Sequence, residues 1–296
     1  MRVAVLGLGG VGTAAARFLA EAGHQVVGFE QFQLDHDRGS SYGASRIIRK
    51  VYPDALYAGL MEAAYPLWEA LERESGEELL LRCGGFFFGP EDHPDMAATE
   101  AALEQVGVPY QRLSAAAAAD RFPFHLQPGE YGLCEPQSGL LRASRCVLAN
   151  ARGARARGAE LRENVEVEAL DFSPSGVQLR CGAEWSEFDR VVITAGPWTA
   201  ALLAPYVRLP LTVTRQQYAH FQVQGDAVRF SAERFPVWID MASHFYGFPE
   251  HAPIPGAKVA LHRPGLLWDP DSLDREVSEA DNRVLLDYLK QRLPEL

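Results

Sequence analysis

Apolar and polar positions at the start of the chain follow the order strand, glycine-rich turn, helix and second strand. Residues 3–6 (Val-Ala-Val-Leu) form an apolar run, and the segment 7–12 (Gly-Leu-Gly-Gly-Val-Gly) follows it directly. The next segment, "TAAARFLAEAG", predicts a helix of small residues that Gly23 can end in the left-handed conformation. "HQVVGFE" then predicts a buried strand that ends at Glu30. This order of elements is typical of a dinucleotide-binding unit.

The glycines of the GxGxxG pattern have distinct steric tasks in such a unit. The first permits the tight turn, the second lets the backbone approach a pyrophosphate, and the third allows close packing of helix against strand. Helix N-terminal amides face the phosphates, and Glu30 can accept hydrogen bonds from an adenosine ribose. An acidic residue at this position disfavours a cofactor with a 2′-phosphate, but it does not distinguish FAD from NAD. The alternative interpretation is that the glycine turn is purely structural and binds no nucleotide. The predicted nucleotide-binding residues are Gly7, Gly9, Gly10, Val11, Gly12 and Glu30.

Beyond this unit, the spacing of apolar residues predicts further helices and strands. Helical spacing covers residues 57–75, and "CGGFFFGPEDHP" predicts a strand that leaves the first lobe. Residues 98–123 predict two helices around a short strand, and another helix is predicted at 144–158. A β-meander then leads to a return strand at 191–194, which runs into Gly196. A second strand-to-glycine turn after a meander is more typical of flavoproteins than of simple NAD enzymes.

The pattern changes from about residue 209 onward. Short alternating strands separated by prolines predict an antiparallel sheet in a second, substrate-binding lobe. The chain closes with a predicted helix, for which Ser278 is the candidate N-cap and Asp281 lies in the first turn. The sequence therefore predicts an α/β protein. We expect a Rossmann-like dinucleotide-binding lobe with a central parallel sheet, and a second lobe with a mixed or antiparallel sheet and helices.

Composition narrows the possible partners of this fold. A formal net charge of −11 argues against a nucleic-acid surface, and no basic run suggests an anionic membrane surface. The first predicted strand begins almost at Met1, and no long apolar run follows, so we expect a cytoplasmic protein. The cysteines are scattered, which predicts free thiols and no metal site. Of the 28 basic residues, only Lys50, Lys258 and Lys290 are lysines.

Several longer motifs occur together and in a fixed order. They are "GSSYGASRIIRKVY" at residues 39–52, "CGGFFFGP", "EPQSGLL", "VVITAGPW", "PLTVTRQQ", "YGFP" and "AKVALH". With them the chain resembles the monomeric sarcosine oxidase and N-methyltryptophan oxidase family of FAD-dependent amine oxidoreductases, over essentially its full length. "SRIIR", and "EPQSG" together with "YGFP", are far more specific to this family than the glycine pattern.

The resemblance implies a division of the chain and a reaction. We expect residues 1–82 and 138–208 to form the FAD-binding lobe, and residues 83–137 and 209–296 to form the substrate-binding lobe. The flavin ring would lie between the lobes, with a bound amino acid stacked on one face. The family reaction oxidises a secondary N-methyl amine to an imine. Oxygen then re-oxidises the flavin to give hydrogen peroxide, and hydrolysis of the imine releases formaldehyde.

The resemblance also implies roles for individual residues. Arg46 would lie against the flavin ring and Arg49 would pair with the substrate carboxylate, since a planar guanidinium suits both tasks. Tyr246 would orient the amine, and Lys258 would help oxygen accept electrons. His262 lies four residues after Lys258, so both side chains can share one face of a strand. Further cofactor contacts implied by the resemblance are Ser40, Ile47, Val167, Gly196 and Trp198, and Tyr42 with Arg46 would shape the substrate face.

The chain departs from the family pattern at three points. Tyr42 stands where many members have a histidine, so we expect a different substrate pocket or pH profile. No cysteine lies near the position of the family's covalent FAD link, and the C-terminal segment of the family is expected to be absent. Two alternatives therefore stay open. One is another FAD-dependent amino-acid oxidase or dehydrogenase, such as a glycine oxidase, and the other is a non-catalytic dinucleotide-binding remnant.

Overall fold

The computed structural model describes residues 1–272, 274–277 and 279–296, and these residues form the following elements. The helices are α1 (Gly10–Glu21), α2 (Ala55–Ser75), α3 (Pro94–Val106), α4 (Ala115–Arg121), α5 (Ala143–Ala156), α6 (Thr199–Leu203) and α7 (Glu279–Arg292), with short 3-10 helices at Gly196–Trp198 and Ala227–Phe230. The strands are β1 (Arg2–Leu6), β2 (Gln25–Phe29), β3 (Arg46–Ile48), β4 (Leu80–Leu81), β5 (Gly85–Pro90), β6 (Gln111–Ser114), β7 (Glu130–Glu135), β8 (Gly139–Leu141), β9 (Glu160–Arg162), β10 (Ala169–Ser173), β11 (Gly176–Cys181), β12 (Glu184–Phe188), β13 (Arg190–Ile193), β14 (Tyr218–Phe221), β15 (Val237–Asp240), β16 (Phe245–Phe248) and β17 (Ala257–Leu261).

A parallel sheet in the order β13-β1-β2-β9 carries the glycine-rich turn. On one face Val5 and Val26 pack with the small residues of α1 and α5. On the other face Phe29 packs with Leu179 and Phe188 of the antiparallel meander β10-β11-β12. Because both faces of the sheet are covered, its central strands are apolar at nearly every position. The predicted parallel sheet and the predicted meander are confirmed.

A small antiparallel sheet in the order β3-β8-β4 holds the arginine-rich segment. Ile48 of β3 is buried with Tyr65 and other residues of α2. Ile47, the preceding residue, packs instead with Val237 and Phe248 of the largest sheet. The alternation of side chains along β3 therefore fixes this strand between α2 and the largest sheet.

The largest sheet has seven strands in the order β14-β17-β16-β15-β5-β7-β6. One face packs Phe86 and Trp238 with Leu289 of α7. The opposite face, which we call the inner face, carries Val237 and Phe248 toward β3 and β8. The inner face thus meets the part of the chain that carries the glycine turn and the arginines.

The mixed or antiparallel sheet predicted for the second lobe is confirmed as a mixed sheet. The strands after residue 209 pair with one another in antiparallel fashion, whereas β15 pairs with β5 in parallel. No hairpin joins these two strands, because they come from distant segments of the chain, so their direction is not set by a turn. Asp281 lies in the first turn of α7, as predicted. The predicted N-cap, Ser278, lies outside the described residues.

The distribution of strands supports the predicted lobes, whose boundaries remain a proposal. All strands of the parallel sheet lie within residues 1–82 and 138–208, and all strands of the seven-stranded sheet lie within 83–137 and 209–296. In the part of the chain that the structure describes, no helix combines the length and the apolar character needed to cross a bilayer.

Candidate active site

The glycine-rich turn brings backbone closer together than any side chain would permit. Gly7 has a φ of +89°, and a Cβ atom placed on Gly12 would lie 1.8 Å from the Gly7 carbonyl oxygen. The start of α1 can therefore pack directly against the end of β1. The Gly10 amide donates a hydrogen bond to Ser41 Oγ at 2.9 Å, and a Cβ atom on Gly9 would lie 2.7 Å from this oxygen. The turn is thus a close-packed backbone cradle at a helix N-terminus.

Glu30 lies at the end of β2 with its carboxylate already oriented. Its Oε2 accepts a hydrogen bond from the Leu8 amide at 2.9 Å, and its Oε1 accepts one from the Phe32 amide at 3.2 Å. His36 Nε2 lies 3.4 Å from the same Oε1. Burial alone would raise the pKa of Glu30, but His36 and the two amides outweigh it and hold this pKa below its usual value. The carboxylate stays charged, and Oε2, which accepts from the Leu8 amide, keeps a second lone pair for a ligand.

A cavity of about 340 Å³ joins the turn to Glu30. Of the predicted cofactor contacts, those that line it are Gly7, Gly9, Glu30, Ser40, Val167, Gly196 and Trp198. Gly10, Val11 and Gly12 belong to the first turn of α1, where the Val11 side chain is 73% exposed. Arg46 and Ile47 lie on β3 and are not among the residues that line this cavity. Backbone amides at a helix start, a fixed carboxylate and an apolar wall at Val165 and Leu202 suit the phosphates, ribose and base of a dinucleotide.

Trp198, which lines this cavity, makes contacts that the sequence did not indicate. Trp198 Nε1 donates to Asp271 Oδ1 at 2.7 Å, which joins the strand-to-glycine turn after β13 to the segment after β17. The Trp198 ring also meets Phe32 and His36 edge-on. These residues are far apart in sequence and share no motif, so only the three-dimensional arrangement reveals them.

The arginine-rich segment continues from the cavity toward the inner face. Arg46 donates from Nη2 to the Ser40 carbonyl at 2.6 Å, and Ser40 lines the cavity. The Arg49 guanidinium lies 4.6 Å from the ring centre of Tyr52 and 5.8 Å from that of Phe87 on β5. Burial lowers the pKa of Arg49 from its ordinary value, and Tyr52 opposes this shift. Tyr42 contributes its carbonyl to Arg46 at 3.4 Å, while its side chain is 49% exposed.

The inner face brings Lys258 and Tyr246 toward Arg46. Lys258 on β17 is only 4% exposed, and its Nζ donates to the Ser45 carbonyl at 3.4 Å. Burial first, and Arg46 second, lower the pKa of Lys258 to about 8. Burial raises the pKa of Tyr246, and Arg46 opposes this. The Arg46 charge therefore acts on the protonation of both side chains.

His262 lies just beyond the end of β17 and is exposed. Its ring centre is 6.3 Å from that of Tyr246. Lys258, Ala260 and His262 follow the two-residue alternation of the strand, which supports the predicted common face. Tyr246, Lys258 and Arg46 therefore form one group, with His262 at its edge and Arg49 beside Phe87.

Three cations of this region have no acidic partner among the residues that the structure describes. For Arg46, Arg49 and Lys258, no carboxylate within the described residues lies at ion-pair distance, and the hydrogen bonds of Arg46 and Lys258 go to backbone carbonyls. The chain carries 39 acidic residues against 28 basic ones, so acids are not scarce. Unpaired cations beside the inner face leave the charge available for an anionic or electron-rich ligand.

Comparison with known proteins gives this arrangement a context. The family model described as FAD dependent oxidoreductase matches residues 2–296. The monomeric sarcosine oxidase of Streptomyces avermitilis is 34% identical over 301 residues, which cover 99% of this chain and 78% of that relative. The N-methyl-L-tryptophan oxidase of Yersinia pestis is 30% identical, covering 98% and 78%. Among solved structures, the open form of NikD, an unusual amino acid oxidase of nikkomycin biosynthesis, has a TM-score of 0.80 at 26% identity, covering 99% and 77%.

Proposed function

This chain belongs to the family of FAD-dependent oxidoreductases, and on that premise we propose that it oxidises the C–N bond of a secondary, N-methyl amino acid such as sarcosine. FAD is its cofactor, and the enzyme acts on CH–NH donors. Molecular oxygen is the proposed electron acceptor. The proposed products are hydrogen peroxide, formaldehyde and the demethylated amino acid.

The surroundings of the Arg49 side chain are the main observation in support of this proposal. Its guanidinium lies over the rings of Tyr52 and Phe87 without an acidic partner among the described residues. A half-buried guanidinium on aromatic rings favours a planar anion that can accept two parallel hydrogen bonds. The carboxylate of an amino acid has this geometry, so Arg49 fixes which end of the substrate enters.

The cradle and Glu30 would hold the cofactor. The amides at the start of α1 would donate to its phosphates, and the Glu30 carboxylate would accept hydrogen bonds from the ribose. Val167, Gly196 and Trp198 would line the nucleotide, while Ser40 and Ile47 would lie along the path from the cavity to Arg46. The chemistry that FAD supplies when bound is the acceptance of a hydride equivalent, that is, two electrons with one proton.

The remaining predicted residues would shape the site around the amine and the reacting oxygen. Arg46 and Tyr42 would shape the substrate face, and Tyr246 would orient the amine from the inner face, with His262 beside it. Lys258 would place positive charge where oxygen accepts electrons. The substrate loses two electrons and two protons, which oxygen takes up as hydrogen peroxide. Water then hydrolyses the imine to formaldehyde and a primary amine.

Substitution of Arg49 tests this proposal. In Arg49→Met, we expect the KM for sarcosine to rise about 100-fold, because a charge-assisted bidentate pair is lost, while FAD absorbance is unchanged. Arg49→Lys should recover part of the loss, since it restores the charge without the fork. Steady-state kinetics and the flavin spectrum are measured together. Loss of bound flavin from Arg49→Met, with the KM unchanged, would contradict the assignment of Arg49 to the substrate.

A further inference from the structure

Two aromatic rings enclose the ammonium group of Lys258. Its Nζ lies 4.2 Å from the ring centre of Tyr218 and 4.7 Å from that of Phe248. The hydrogen bond to the Ser45 carbonyl, at 3.4 Å, is long. A buried ammonium with no carboxylate partner normally loses its proton easily, because burial disfavours the charged form. Aromatic faces oppose this loss, since their negative quadrupole attracts a cation.

The register of the sheet explains why these rings meet Lys258. Phe248 on β16 pairs directly with Lys258, and His220 on β14 pairs with it from the other side. Tyr218 pairs with Ala260, so its ring reaches Lys258 along the diagonal between neighbouring strands. Tyr218 lies on the edge strand and is 46% exposed. Replacing this half-exposed ring should therefore disturb the fold less than replacing a fully buried aromatic residue would.

We propose that Tyr218 is a positioning residue for Lys258: its ring, together with Phe248, keeps the buried ammonium charged and directed toward the face where oxygen reacts. This inference rests on the proposed function, in which oxygen takes two electrons and two protons from the reduced enzyme to give hydrogen peroxide. Lys258 contributes positive charge to that transfer and gains or loses no proton overall. The rings take up none of the Lys258 hydrogen bonds, so the N–H groups that are not bonded to the Ser45 carbonyl can face an oxygen molecule.

Other titratable groups near Lys258 come from each neighbouring element. They are Arg46 on β3, His220 on β14 and His251 after β16, and Tyr218 on β14 contacts Lys258 directly. Burial, then Lys258 and then His251, lower the pKa of His220 to about 4, so this imidazole is neutral near pH 7. Burial and then Arg46 lower the pKa of Lys258. The two rings therefore oppose first the effect of burial on the Lys258 pKa, and after it the repulsion from Arg46.

The scarcity of lysine makes a direct test possible. Protein labelled with ¹³C-lysine should give side-chain signals for Lys50, Lys258 and Lys290 alone, and Lys258→Met identifies the signal of interest. In cofactor-free Tyr218→Leu, we expect the Lys258 titration midpoint to fall by about half a unit or more. Tyr218→Phe keeps the ring and should keep the midpoint. Trp185→Leu, which removes another half-exposed aromatic from edge strand β12, is the matched control.

A second readout uses the FAD-loaded enzyme reduced chemically without substrate. The rate of its reaction with oxygen should fall as pH rises through the Lys258 midpoint, and this fall should begin at lower pH in Tyr218→Leu. An unmoved Lys258 midpoint in folded Tyr218→Leu would overturn this inference alone. An unchanged oxygen rate in Lys258→Met would instead overturn the oxygen role assigned to Lys258 under the proposed function.

Discussion

At the scale of single residues, Glu30 illustrates how a ligand site is prepared before the ligand binds. Two backbone amides and His36 contact its carboxylate, so the charge is fixed at the end of β2. The position of Glu30 after the second strand was predictable from sequence spacing. His36 was not, because its contact depends on how the following loop folds back onto the carboxylate.

The Glu30→Gln variant tests whether this fixed carboxylate binds FAD. We expect FAD affinity to fall about tenfold, because the amide carries no charge and offers one acceptor oxygen instead of two. Fluorescence titration of the cofactor-free protein with FAD measures the change. Glu184→Gln replaces an exposed carboxylate outside the cavity and should leave affinity unaltered. Equal affinity in Glu30→Gln and the unsubstituted protein would show that Glu30 is not a cofactor ligand.

At the scale of elements, the contact between β1 and α1 decides whether the cradle forms. The strand, turn, helix and second strand were all predictable, because glycine spacing and apolar periodicity act within a short segment. The parallel pairing of β15 with β5 was not predictable. Strand direction there depends on packing between distant segments, which alternation within each strand does not encode.

Gly12 provides the test at this scale. In Gly12→Ala, the added methyl group would collide with the Gly7 carbonyl, and neither backbone segment can move freely. We expect a loss of about 2–3 kcal/mol in the free energy of unfolding, together with weaker FAD binding. Urea denaturation measures the first effect. Gly59→Ala in α2 has open space around the new methyl group and should be neutral or slightly stabilising. Equal stability of the two variants would contradict the close-packed cradle.

At the scale of the whole molecule, the candidate site forms where the inner face of the large sheet meets β3 and the cofactor cavity. Motif resemblance located Arg46, Arg49, Tyr246 and Lys258 in the sequence. It could not show that the three cations among them lack acidic partners within residues 1–272, 274–277 and 279–296. The contacts of two aromatic rings with Lys258 also could not be predicted, because they depend on the register of β14, β16 and β17. Long-range register and charge pairing are properties of the assembled sheet.

Oxidation of an N-methyl amino acid by the FAD-loaded enzyme can be measured directly. Protein reconstituted with FAD is mixed anaerobically with sarcosine, and the visible flavin absorbance is followed, with glycine as the matched substrate lacking the methyl group. We expect rapid bleaching with sarcosine, much slower bleaching with glycine, and one formaldehyde released per flavin reduced. Faster bleaching with glycine would contradict the proposed substrate class, and bound FAD that no amino acid bleaches would contradict amine oxidation itself.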